Sequence, residues 1–150
     1  MTGEALIILL IEDNEDHAEL VQRSLADNHV ANTIYHVKDG EEALNYLFRR
    51  EVYADPLMSP VPNLILLDLR LPKVDGIEVL KEIKASEAHK KIPVVVLTSS
   101  SAERDIAKAY ASNANSYLVK PVDFEKFTRM MKDLGYYWLA WNTNPLRANA

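Results

Sequence analysis

The sequence predicts an α/β domain in which a doubly wound, five-stranded parallel sheet of order 2-1-3-4-5 is covered by five helices. Two observations predict it. Three short runs, residues 5–11, 64–67 and 94–97, are wholly apolar, as strands buried on both faces must be. The stretches between and after them carry apolar residues at helical spacing, so strands and helices alternate.

The elements follow in order. After the first strand, His17, Leu20, Val21 and Leu25 form one helical stripe. Residues 33–37 are a weaker strand candidate, followed by a helix on Ala43, Leu44, Leu47 and Phe48. Residues 49–63 hold Pro56, Pro60 and Pro62 without a period and are expected to form a long loop. A third helix starts near Asp75-Gly76 and carries Ile77, Leu80 and Ile83. Ile106, Ala109 and Tyr110 mark a fourth helix, for which Ser101 is the expected N-cap. Residues 116–119 are another weaker strand candidate, the fifth in order. Phe124, Phe127, Met130, Met131, Leu134, Trp138 and Trp141 mark a last helix, which Gly135 interrupts. The 150 residues are expected to be a single domain, with its core over about 5–141 and a polar tail over 142–150.

Bulk properties exclude several classes. With 17 basic and 22 acidic residues the net charge is −5, which disfavours nucleic acid and anionic membrane surfaces as partners. The absence of cysteine excludes disulfides, thiolate catalysis and cysteine-ligated metal. No secretory signal pattern and no apolar run of roughly 20 residues is present, so a cytoplasmic protein is expected.

In an open α/β sheet, ligands bind beyond the carboxyl ends of the strands at the switch point of strand order. Glu12 and Asp13 follow the first strand and Asp68 follows the third. In the 2-1-3-4-5 order these strands are neighbours, so the three carboxylates converge. Each alone could be an ordinary helix-end or solvated acid. Together they repel, which a hard divalent cation such as Mg²⁺ would relieve while leaving room for a phosphoryl oxygen. Thr98 ends the fourth strand and Lys120 the fifth. Their hydroxyl and ammonium suit the recognition of a phosphoryl group, although a helix cap and a surface lysine are the plain alternatives.

These residues resemble the receiver domains of two-component response regulators. The resemblance rests on Glu12-Asp13, on Asp68 within Leu-Leu-Asp-Leu-Arg-Leu-Pro-Lys-Val-Asp-Gly, on Thr98 within Val-Val-Leu-Thr-Ser-Ser, and on Lys120-Pro121. It implies the flavodoxin-like receiver fold, with Asp68 as phosphoacceptor. Asp13, Asp68, Glu12 through water, and the backbone carbonyl of Arg70 would be the Mg²⁺ ligands. Lys120 would hold the phosphoryl group, Thr98 would move toward it, and Tyr117 would be the aromatic switch. Pro121 would follow a cis peptide. A histidine kinase would donate the phosphoryl group, and the output would be a shift of the surface formed by the fourth helix, fifth strand and fifth helix.

The resemblance makes the chain a phosphoacceptor rather than an enzyme, apart from self-catalysed phosphorylation and dephosphorylation. The long loop and the aromatic stretch around Trp138 are similar to the stand-alone regulators of phytochrome-type kinases, which often dimerise through that same surface. Departures are Leu71 where the family usually has methionine, the longer 49–63 loop, and Arg70 and Ser100 at positions that vary in the family. Competing readings are a phosphorelay intermediate or phosphate sink, a non-phosphorylated scaffold, a flavin binder, which would need a phosphate loop in place of residues 12–16, and a phosphatase, which would use an acid after the first strand as nucleophile.

Overall fold

Five parallel strands lie in the order β2-β1-β3-β4-β5. The structure is a computed structural model and describes residues 6–26, 32–135 and 137. The strands are β1 (Leu6–Ile11), β2 (Asn32–Val37), β3 (Leu64–Leu67), β4 (Val94–Thr98) and β5 (Ser116–Val119). The helices are α1 (Glu15–Ala26), α2 (Gly40–Leu47), α3 (Gly76–Ala85), α4 (Glu103–Ala111) and α5 (Phe124–Gly135). The predicted fold and strand order and, among the described residues, five α-helices are therefore observed, and the described part of α5 runs as far as Gly135, the glycine in its pattern. Trp138 and Trp141 lie outside the described residues.

The apolar runs become the central strands, and two separate cores cover their faces. Leu9, Ile11, Ile65, Leu67, Val94 and Val96 pack with α2 and α3 on one face. Ile8, Leu10, Leu64, Leu66, Val95 and Leu97 pack with α1 and α5 on the other. The alternation follows from the two-residue period of a strand, which sends successive side chains to opposite faces. Because both faces are covered, β3 and β4 are buried at every position, and the one polar residue they hold is Thr98 at the carboxyl end of β4.

Helix starts are set by short acidic side chains. Asp39 caps α2 by accepting from the Glu42 N–H at 2.7 Å, and Asp75 caps α3 by accepting from Ile77 at 3.3 Å. The expected Ser101 cap of α4 is not made. The cap position is Ala102, with no side-chain bond to the helix. Ser100 takes over locally, because its hydroxyl accepts from the Ala102 N–H at 3.4 Å while donating to Asp105 at 2.5 Å.

The 49–63 loop is more ordered than its lack of period suggests. It contains two single-turn 3-10 helices, Glu51–Tyr53 and Pro56–Met58. Such turns are too short to show periodicity in a sequence. The Tyr46 hydroxyl donates to the Pro60 carbonyl at 2.7 Å, and the buried Ser59 hydroxyl donates to Tyr53 O at 3.0 Å. Among the described residues no helix is long and apolar enough to cross a membrane.

Gly76 sets how closely α3 approaches the end of β3. A Cβ there would stand 2.5 Å from the Asp68 carbonyl oxygen and 2.5 Å from Leu69 Cα. Gly76→Ala is therefore expected to destabilise the fold by about 1–3 kcal/mol through overpacking. Urea unfolding reads this as a lower midpoint, and an unchanged midpoint would contradict the packing described.

Candidate functional site

The site is assembled by strand register. Ile11 pairs with Leu67 across β1 and β3, so Glu12 and Asp68 leave the sheet side by side. The Asp68 N–H donates to Ile11 O at 3.0 Å, which carries the pairing one step beyond the strands. Thr98 pairs with Val119 across β4 and β5, and the Lys120 N–H donates to Thr98 O at 2.7 Å. That bond delivers Lys120 to the same end of the sheet.

The residues predicted from the sequence meet there. Carboxylate oxygens of Glu12, Asp13 and Asp68 all lie within 4.8 Å of one another. Glu12, Asp68, Thr98 and Lys120 are buried, whereas Asp13 is exposed. The Lys120 ammonium donates to Glu12 Oε1 at 2.5 Å and to Asp68 Oδ2 at 3.0 Å. Asp68 Oδ1 accepts from the Arg70 backbone N–H at 3.1 Å. The Lys120–Pro121 bond, implied to be cis, is trans, since no peptide bond among the described residues is cis. Trans remains the lower-energy form even before proline, and the Lys120–Thr98 backbone bond brings the lysine to the pocket without a cis bond.

Electrostatics separates the two buried carboxyls. Burial pushes Glu12 up to about 7, although its hydrogen bond to Lys120 pulls the other way. Burial also acts to raise Asp68. There the charge of Lys120, the Arg70 N–H and the bonds to Lys120 and Glu12 outweigh it and hold Asp68 below the usual carboxylate range. Asp68 is thus an anion, available as a nucleophile or ligand, and Glu12 is the carboxyl that most readily holds a proton. The donor set is all oxygen, with one exposed and two buried carboxyls, and fits a hard divalent cation that keeps part of its water shell.

A second network links the pocket to α4 and β5. The Arg70 guanidinium reaches across to Asp105 Oδ2 at 2.9 Å. Ser100 donates to the same oxygen, and the Tyr117 hydroxyl donates to Ser100 O at 2.8 Å. Tyr117 is therefore tied to the β4–α4 loop two residues past Thr98, while Arg70 sends its side chain to α4 and its N–H to Asp68.

Three contributors were not singled out in the sequence as site residues. His17 places Nδ1 3.0 Å from the Lys120 ammonium. His36 donates through Nε2 to the Glu12 carbonyl at 2.7 Å and pins the acidic loop from β2. Asp105 joins Arg70 to Ser100. The one available signal was His17, a polar residue inside an otherwise apolar helical stripe one turn past the acidic pair.

Removing the shared cation tests this electrostatic picture. In Lys120→Met, without divalent cation, Glu12 and Asp68 lose their common partner and both carboxyls move upward. A carboxyl raised in the folded state supports the fold at low pH and ceases to as pH rises through its folded value. The variant is expected to lose about 3 kcal/mol at about pH 8 and clearly less at about pH 5.5. Urea titrations with a chelator measure both, and an equal loss at both values would contradict the arrangement.

Comparison with known proteins agrees with this geometry. The family described as the response regulator receiver domain matches residues 8–132. The chain is 46% identical over 142 residues to FilR2, a probable methanogenesis regulatory protein of Methanothrix harundinacea, covering 95% of this chain and 89% of FilR2. It is 40% identical to the response regulator Rcp1 of Synechocystis sp., covering 93% of this chain and 92% of Rcp1. The solved Mn²⁺-bound form of Rcp1 superposes with a TM-score of 0.89 over 93% of this chain and 99% of that one. The phosphorylated cyanobacterial phytochrome response regulator RcpA superposes with a TM-score of 0.90 at 40% identity, over 95% and 99% of the two chains.

Proposed function

This chain belongs to the response regulator receiver family, and from that premise we propose that it takes a phosphoryl group from a histidine kinase onto Asp68. The observation that carries the assignment is the meeting of Asp68, held ionised, with Lys120, Glu12 and Asp13 at one end of the sheet. Glu12 shares burial, a backbone donor and the lysine contact, but of the two buried acids it is Asp68 that is held below the usual carboxylate range, by Lys120 and the Arg70 N–H.

In this reading Asp13, Asp68, Glu12 through water and the Arg70 carbonyl would hold Mg²⁺, which would supply charge neutralisation for the phosphoryl group. Asp68 attacks the phosphorus of the kinase's phosphohistidine. The P–N bond breaks with its electrons on the imidazole, which takes up a proton. Lys120 stabilises the charge that develops on the transferred group. Thr98 then turns its hydroxyl to the new anion. That movement pulls on the β4–α4 loop to which Tyr117 is bonded, and Tyr117 with the α4-β5-α5 surface shifts as a two-state element biased by the modification.

That surface carries exposed apolar residues, Tyr110 on α4, Val119 on β5 and Phe124 at the start of α5. They support a homodimer formed there. The similarity to RcpA supports a phytochrome-type kinase as the donor. The higher identity to FilR2, a probable methanogenesis regulatory protein, favours a second reading, in which the kinase serves a different input. A single receiver domain over residues 1–150, acting in the cytoplasm through protein contact rather than on nucleic acid or membrane, completes the proposal. The near-complete coverage of Rcp1 and RcpA supports its extent.

Incubation with acetyl phosphate tests the acceptor. A Mg²⁺-dependent gain of about 80 Da, one phosphoryl group, is expected in the wild type and is expected to vanish in Asp68→Asn. The same gain in the variant would overturn the assignment. For the surface, Phe124→Glu is expected to weaken self-association in sedimentation experiments while leaving phosphoryl uptake intact. An unchanged dimer would remove Phe124 from the interface.

A further inference from the structure

The contact between α1 and the phosphorylation pocket goes beyond the residues assigned so far. The Lys120 ammonium has three N–H donors and no acceptor. Glu12 Oε1 at 2.5 Å, Asp68 Oδ2 at 3.0 Å and His17 Nδ1 at 3.0 Å are placed to take all three. Because the ammonium can only donate, Nδ1 must present its lone pair, and the ring proton is assigned to Nε2. Burial, and then the charge of Lys120, lower the basicity of His17, and this favours the neutral ring that such a contact requires.

The three acceptors are not equivalent. In the proposed reaction Glu12 turns to a cation and Asp68 becomes the phosphoryl carrier, so both carboxyl contacts must rearrange. The contact to His17 need not change. The residue has two contacts outside the reacting groups. Its backbone N–H donates to Asn14 Oδ1 at 3.0 Å, and its ring lies against the Phe127 ring of α5 in a tilted arrangement, with centroids 5.5 Å apart.

We infer that His17 is a positioning residue for phosphoryl transfer, a neutral acceptor that fixes the direction of the Lys120 ammonium while its two carboxyl partners change roles. It aims the charge without neutralising it, as a third carboxylate would. This inference rests on the proposed phosphorylation of Asp68.

The test uses the full chain, acetyl phosphate as donor and three variants. His17→Phe keeps a ring against Phe127 and removes the acceptor. His17→Asn restores an acceptor, its Oδ1 standing two bonds from Cβ as Nδ1 does. His17→Ala removes both features. Loss of one hydrogen bond to a charged group is expected to slow phosphoryl uptake about tenfold in His17→Phe and His17→Ala, with His17→Asn near the wild-type rate. Nitrogen-15 spectra of the wild type are expected to show Nδ1 unprotonated and Nε2 protonated. This arm depends on no variant's folding and on no phosphorylation. A wild-type rate in His17→Phe, a His17→Asn as slow as His17→Phe, or a protonated Nδ1 would each overturn the inference. Failure of the wild type to accept a phosphoryl group on Asp68 would instead defeat the reading beneath it.

Discussion

One ammonium organises this molecule's functional end. Glu12 and Asp68 leave adjacent strands buried and facing the same space. Two buried carboxylates so placed would repel, and each would take up a proton. Lys120, arriving from the far strand β5, lies within hydrogen-bond distance of both. It keeps Asp68 ionised and leaves Glu12 as the group nearest to neutrality. A buried arrangement of this kind is poor evidence for stability, since burying charges costs as much as their attraction returns. Its presence is better explained by what it holds ready, an ionised carboxylate beside a cation, with the exposed Asp13 next to them.

The fold serves that arrangement. Parallel strands of a doubly wound sheet end together at one edge, and the 2-1-3-4-5 order makes β1 and β3 neighbours. Backbone bonds beyond the strand ends, Asp68 to Ile11 and Lys120 to Thr98, extend the register into the loops that bear the chemistry. Gly76 lets α3 close directly behind Asp68. The Arg70–Asp105–Ser100–Tyr117 chain of contacts then carries the position of these loops to α4 and β5. In the proposed mechanism that chain would carry a change at Asp68 to the α4–β5 surface.

Much of this was legible in the sequence because the central strands are buried on both faces. The runs at residues 64–67 and 94–97 have no polar residue, so their ends, and therefore Asp68 and Thr98, could be placed to the residue. Glu12 and Asp13 follow by the same logic from the apolar run that ends at Ile11, whereas Lys120 follows β5, a half-buried edge strand with a weaker signal. The 49–63 loop was less legible, because single 3-10 turns leave no period, and its order comes from Tyr46 and Ser59 bonding to backbone. The α4 cap was misplaced at Ser101 because the competing partner of Ser100, Asp105, lies a helical turn ahead and acts through its side chain. His17 and His36 escaped notice for a related reason. Each acts on a residue far away in the chain, Lys120 and the Glu12 carbonyl, and such pairings are set by the packing of α1 and β2 against the rest.

The measurement that tests the account most directly is a crystal structure of the protein with Mg²⁺ and beryllofluoride, a stable mimic of the phosphoryl group. The account predicts beryllium bonded to an Asp68 carboxylate oxygen, with its fluorines in contact with Lys120 Nζ and Thr98 Oγ1 and the metal beside Asp13. Beryllofluoride on a different carboxylate, or a Lys120 that stays on Glu12 and makes no contact with the mimic, would contradict it.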